Sequence, residues 1–142
     1  MQQTKKLMLA TAVMLFSALS VSAQNIHFKG SPTLTDNGPT LTCCGKLVGL
    51  GNNQLVTITL TTMATTITEC TNPGGNVAPG QTTTGLISTS GVFMSDKNGN
   101  CNFCLTTDVP APGSCPNIQW TGTVTDVSFS NTFMSVNGNR VN

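Results

Sequence analysis

Along residues 54–70, QLVTITLTTMATTITEC, apolar and hydroxyl side chains take turns. Val56, Ile58 and Leu60 fall on one face, and Thr57, Thr59 and Thr61 on the other. A period of two is the mark of a half-buried β-strand. TLTCCGKLVGL (40–50) alternates likewise, with Leu41, Cys43 and Leu47 on the side taken as inward. Further strand candidates are NIHFK (25–29), TTGLIST (83–89), GVFM (91–94), NFCLTT (102–107), TGTVTDVSF (121–129) and TFMSV (132–136). The turn-formers TDNGP (35–39), GLGNNQ (49–54), SDKNGN (95–100) and VNGN (136–139) separate them. No window after residue 24 carries a helical period. About eight short strands at this spacing predict an all-β chain, a single antiparallel immunoglobulin-like β-sandwich of about 7–9 strands. Two longer connections, 70–81 and 108–120, are rich in Pro, Gly and Asn and are expected as loops at the ends of the sandwich.

The first 23 residues follow a different pattern. Lys5 and Lys6 precede an apolar run, Leu7 to Ser20, and then the small residues Val21, Ser22 and Ala23. This is the layout of a signal peptide cut after Ala23, and the run is shorter than the roughly 20 residues a spanning helix needs. The chain is therefore expected to be secreted, extracellular or periplasmic, with a signal peptide at 1–23, one domain at 24–142 and no membrane span after cleavage. The mature part carries Lys29, Lys46, Lys97 and Arg140 against Asp36, Glu69, Asp96, Asp108 and Asp126, a net charge of −1. That balance excludes an electrostatic footprint for nucleic acid.

Six cysteines, Cys43, Cys44, Cys70, Cys101, Cys104 and Cys115, follow the export signal, and an even count there implies disulfides. Cys70 and Cys115 edge the two long loops and make the economical pair. The other four lie in strand-like stretches. Cys43 and Cys44 face opposite ways, as do Cys101 and Cys104, so two neighbouring strands could carry one bridge on each face. Opposed residues of antiparallel strands have a constant index sum. Cys43–Cys104 with Cys44–Cys101 needs less diagonal reach than Cys43–Cys101 with Cys44–Cys104, and is the expected pairing. Ligation of zinc or an iron–sulfur cluster by these four thiolates competes poorly, because adjacent cysteines chelate badly and exported thiols are oxidised. Neither a metal nor a cofactor is expected.

Other candidate chemistry is thin. Asp96 to Cys101 resembles the start of a calcium loop, but the sixth position lacks glycine and the twelfth is Thr107 instead of a bidentate Glu. A hairpin turn on Asn98-Gly99 explains it better. The threonine rank at 57, 59 and 61 suits an ice-binding face only if neighbouring ranks lie beside it; one rank reads as a solvated strand face. Trp120, with Asn72, Asn76 and Asn117 from the long loops, would suit a lectin-like sugar site, although a lone Trp here reads more readily as the core plug of a sandwich. His27 is the sole histidine and Glu69 the sole glutamate. Glu69 and Asp108 are the nearest pair for a small hydrolase, and no catalytic motif marks them.

Three motifs carry a resemblance: GLGN (49–52) with the following VTITLT, CTNPGGNVAPGQ (70–81) and CPNIQWTGTVTDVSF (115–129). Over most of its mature length the chain resembles a group of uncharacterised secreted bacterial β-sandwich proteins that share the pattern CTNPGGN-x-APGQ and CPN-x-x-W-T. The resemblance implies an all-β exported domain. Because each loop motif holds its cysteine, it also supports the Cys70–Cys115 bridge. The CC and CNFC cysteines lie outside that pattern, and no activity comes with it. The expectation is a secreted or surface-exposed, non-enzymatic binding or structural module whose extracellular ligand or protein partner meets Asn72, Asn76, Asn117 and Trp120. The alternative is a self-assembling surface or filament subunit, in which a short last strand leaves an edge open.

Overall fold

The computed structural model describes residues 25–142; the signal peptide expected over 1–23, and Gln24, lie outside the described residues. Among the described residues nine strands follow in order: β1 (His27–Phe28), β2 (Thr33–Asp36), β3 (Leu41–Val48), β4 (Leu55–Thr71), β5 (Val77–Pro79), β6 (Thr83–Met94), β7 (Cys101–Thr106), β8 (Thr121–Val136) and β9 (Asn139–Val141). They form two antiparallel sheets, and no helix occurs among the described residues.

In the shorter sheet β3 lies in the middle, with β7 on one side and β1 and β2 on the other. In the longer sheet β4 is central. One side of β4 pairs with β6 and then β5, the other with β8, and β9 covers only the end of β8, opposite residues 134–136. The β8–β9 hairpin turns on Asn137 and Gly138, both with positive φ (50° and 87°), as a tight two-residue turn requires.

The alternation at 54–70 forms the longest strand in the described fold, 17 residues. Every even residue from Val56 to Cys70 is buried. Val56, Ile58 and Leu60 pack against Cys43, Leu47, Phe103 and Leu105 of the shorter sheet, together with Met134, Val136 and Val141. Phe103 lies across from Gly45 on β3, and a Cβ at Gly45 would come within 3.1 Å of its ring. The missing side chain thus makes room for the aromatic.

The shorter sheet ends at Leu41 and Thr107, but β4 runs on. Residues 108–116, expected as a loop beyond the sandwich, instead lie as a strap across the inner face of that overhang. Gly113 N donates to Thr68 Oγ1 (2.7 Å), Gln81 N donates to the Ser114 carbonyl (3.0 Å), and Pro110 and Ala111 face Ala64 and Thr66. The candidates at 83–89 and 91–94 are one strand, as are 121–129 and 132–136. The latter pair is joined through a register shift opposite Thr61/Met63, and a second shift opposite Ile67/Thr68 lies within the 121–129 half.

Candidate functional site

Two disulfides form among the described residues, Cys70–Cys115 and Cys44–Cys104. The second corrects the expected pairing. Register sets Cys44 opposite Cys104, Cys43 opposite Leu105 and Cys101 opposite Leu47. Cys44 and Cys104 share the outer face with Cα atoms 4.1 Å apart. Cys43 and Cys104 would have to bond through the sheet, and so would Cys44 and Cys101. Cys43 and Cys101 share the inner face, but four residues of strand, roughly 13 Å, separate them along the ladder, too far to bridge. Both stay as buried thiols. The outer bridge therefore takes two of the four sulfurs that a zinc or cluster site would have used.

At the far end of the longer sheet, Cys70–Cys115 draws the two long segments together. Thr71 stands opposite both Val77 and Thr121, so Asn72, Asn76 and Trp120 flank one row of the sheet. The amides, however, face inward to their own turns. Asn72 Oδ1 accepts from Asn76 N (2.8 Å), Asn72 N donates to the Asn76 carbonyl (3.0 Å), and Asn117 Oδ1 accepts from Gln119 N (3.0 Å). Trp120 is half-buried and lies outside the core, so it does not plug the sandwich. The depression beside this row, about 250 Å³, is lined by Ile67, Glu69, Val77, Pro79 and Thr125 and by none of the four expected binding residues.

Comparison with known proteins finds no matching family model, no matching curated protein and no matching solved structure. What the chain can do therefore follows from its own geometry. Glu69 projects from the outer face of β4, whereas Asp108 begins the strap on the inner side, so the longer sheet stands between the two carboxylates of the hydrolase reading. Asp96 Oδ1 accepts from Asn98 N (2.8 Å) and Asn100 N (2.9 Å). The loop is tied to the 49–53 turn by Leu50 N to the Gly99 carbonyl and Asn53 N to the Asp96 carbonyl, both 3.1 Å. It carries the chain from β6 to β7, a corner between sheets instead of the expected hairpin. Between the sheets, a cavity of about 190 Å³ is lined by Phe28, Leu34, Cys43, Met134 and Arg140. The Cys43 and Met134 sulfurs lie 3.4 Å apart there.

The feature that the sequence pattern did not flag is the outer edge of β6. Leu86, Val92 and Met94 are 63%, 67% and 59% exposed, an unusual row of large aliphatics on one strand. β6 pairs only with β4, and no loop or turn backbone hydrogen bond reaches its other side among the described residues. The signal lay in two adjoining strand candidates without a single charge; separating them at Ser90 hid their common length.

Proposed function

We propose that this chain is a secreted or surface-exposed, non-enzymatic β-sandwich of immunoglobulin-like type that serves as a structural assembly module, joining chains through the open edge of β6. One observation carries the reading: the twelve residues of β6 contain no charge, no proline and no bulge, and among the described residues nothing pairs with their outer side. Soluble proteins blunt exposed edges with such devices, because an open edge pairs with other strands.

The other edges of this fold do carry them. The free part of β8 has two register shifts and Asp126. β1 and β2 are separated by residues 29–32, which include Lys29 and Pro32. β7 is six residues long.

Two observations support the immunoglobulin-like identity. The order β2-β3-β7 against β6-β4-β8-β9 corresponds to strands A-B-E against C′-C-F-G of such sandwiches. Cys43 and Met134 meet on β3 and β8, the counterparts of the B and F strands that antibody domains bridge. Two disulfides are consistent with an oxidising compartment, and among the described residues no helix is long and apolar enough to cross a membrane.

Light scattering on the mature chain over a concentration series tests the proposal. The expected result is a mass above the monomer that grows with concentration and returns to the monomer in Val92→Lys, which places a charge on the edge. A monomer throughout, in wild type and variant alike, would overturn it.

A further inference from the structure

The hydrogen bonds at the mouth of the β4–β6 pair decide which groups of β6 are free. Ser95 N donates to the Gln54 carbonyl (2.9 Å), and the register then runs without a shift from Leu55↔Met94 to Thr66↔Thr83. Bonded pairs in an antiparallel ladder recur at every second residue, so Phe93, Gly91, Thr89, Ile87, Gly85 and Thr83 turn their backbone groups toward β4. On the other side of β4, Asn137 N donates to the Thr57 carbonyl (2.9 Å), which fits: even residues of β4 serve β6 and odd ones serve β8. The open side of β6 therefore presents the N–H and C=O groups of Thr84, Leu86, Ser88, Ser90, Val92 and Met94. These six also place their side chains on the outer face, all of them exposed.

From Thr84 to Met94 that face runs Thr, Leu, Ser, Ser, Val, Met, with two hydroxyls in the centre and aliphatics on both flanks. The pattern is nearly the same from either end. We propose that a second copy of this chain adds its own β6 antiparallel across this edge, on a twofold axis at Thr89, pairing Ser88 with the partner's Ser90 and Leu86 with the partner's Val92. The inner face fits the same register. Gly85, where no atom lies within 4 Å of an added Cβ, falls opposite the partner's Phe93. Ile87 falls opposite the partner's Gly91.

A shift in either direction loses this match. Centred on Ser88, Gly85 faces the partner's Gly91 and Leu86 faces the partner's Ser90. Centred on Ser90, Ser88 faces the partner's Val92 and Ile87 faces the partner's Phe93, two large residues together. The absence of charge on β6 means that two identical edges approach without repulsion along the seam. A seam of this kind uses the same patch twice and closes on itself, so its product is a dimer with one continuous sheet instead of a filament.

This inference rests on the assembly reading above, and the experiment separates the two. Ser88→Cys and Ser90→Cys chains are purified singly, mixed, oxidised and run without reductant, with light scattering on the same samples. The expected result is a cross-linked dimer in the mixture at several times the yield of either variant alone. Ser88→Cys linking best to itself, or Ser90→Cys to itself, would overturn the register. A dimer by light scattering that Val92→Lys still returns to the monomer, with no cross-link in any combination, would overturn the Thr89-centred antiparallel seam while leaving assembly through the β6 edge standing. Monomers throughout would overturn both.

Discussion

Replacing the bridge at the end of the longer sheet, in Cys70→Ala with Cys115→Ala, separates what that bridge does from what the cross-strand bridge does. It closes a separation of 45 residues, and the other closes 60. The chain-entropy relation gives about 4 kcal/mol for each, only about 0.3 kcal/mol apart, so the unfolded state does not distinguish them. The native state does. Cys44 and Cys104 sit directly opposite each other in a six-pair ladder that stays hydrogen-bonded without them. Cys115 lies outside any strand, and two hydrogen bonds hold the strap beside it, Gly113 N to Thr68 Oγ1 at 2.7 Å and Gln81 N to the Ser114 carbonyl at 3.0 Å.

Urea unfolding of Cys44→Ala/Cys104→Ala should show a lower midpoint with a steeper slope, because the unfolded chain expands without its cross-link. Cys70→Ala/Cys115→Ala should lower the midpoint by a similar amount but with a smaller slope than the first variant, because part of the strap is already exposed before global unfolding. Native-state hydrogen exchange should then find the amides of Gly113 and Gln81 unprotected in the second variant alone. A loss below about 1 kcal/mol, or full protection at Gly113, would show that the strap holds without its bridge and would refute this reasoning.

Burial raises both free thiols above the ordinary cysteine range, with Asp96 adding to the effect at Cys101. Iodoacetamide should leave the native chain unlabelled and add two groups after unfolding without reductant; native labelling, or none after unfolding, would contradict the two-bridge pairing. The carboxyl of Asp96 is held below the ordinary aspartate range, chiefly by the amide of Asn100, with Asn98, Lys46 and Lys97 assisting and desolvation opposing. A depressed folded value means that its stabilisation is complete above the unfolded aspartate range and is lost as pH falls through the lower folded value. Asp96→Asn should therefore flatten the acid limb of melting temperature against pH, and an unchanged limb would refute the assignment. Gly113→Ala should destabilise, since its Cβ would collide with the Gln81 carbonyl, whereas Gly85→Ala, in open space within a single chain, should stabilise the monomeric Val92→Lys background by roughly 0.4–1 kcal/mol. Thermal melts of the two variants moving in the same direction would count against that contrast.

The parts of the fold with a strong local cause were legible in the sequence alone. The alternation of β4, the inward set Leu41, Cys43 and Leu47, and the Asn137-Gly138 turn are all written in spacing that a strand or a primed turn demands. The strands that escaped notice, β2, β5 and β9, are four, three and three residues long, too short to show a period. Side-chain parity put Cys43 and Cys44 on opposite faces of β3, but parity cannot choose partners; the register between β3 and β7 does, and it comes from the whole strand pair. The loop amides read as ligands from the length and the Pro, Gly and Asn content of the two loops that carry them. Here Asn72 and Asn117 complete the turns that hold them, a use that becomes visible only with the backbone in place.

The strap has one cause, the mismatch in length between the sheets, whereas the open edge of β6 runs beside both the covered and the overhanging part of β4. The shorter sheet covers β4 only as far as Leu60, and there the inward residues of β4 change from Val, Ile and Leu to Thr62, Ala64, Thr66 and Thr68. A bare apolar half would need a second sheet above it. Small residues with hydroxyls need only a thin cover that offers hydrogen bonds, and none of the buried polar side-chain atoms among the described residues is left without a partner. The strap meets that need, yet with prolines at 110 and 112 it cannot serve as a strand. It therefore lies across the inner face without extending either sheet, and the margin of the overhang stays unpaired on both sides among the described residues. On the β8 side the chain answers with register shifts and Asp126. On the β6 side it places serines and aliphatics in a nearly symmetric row. A chain that guards one margin of a sheet and leaves the other smooth and uncharged treats the two differently, and that contrast is the ground on which the proposed assembly through β6 rests.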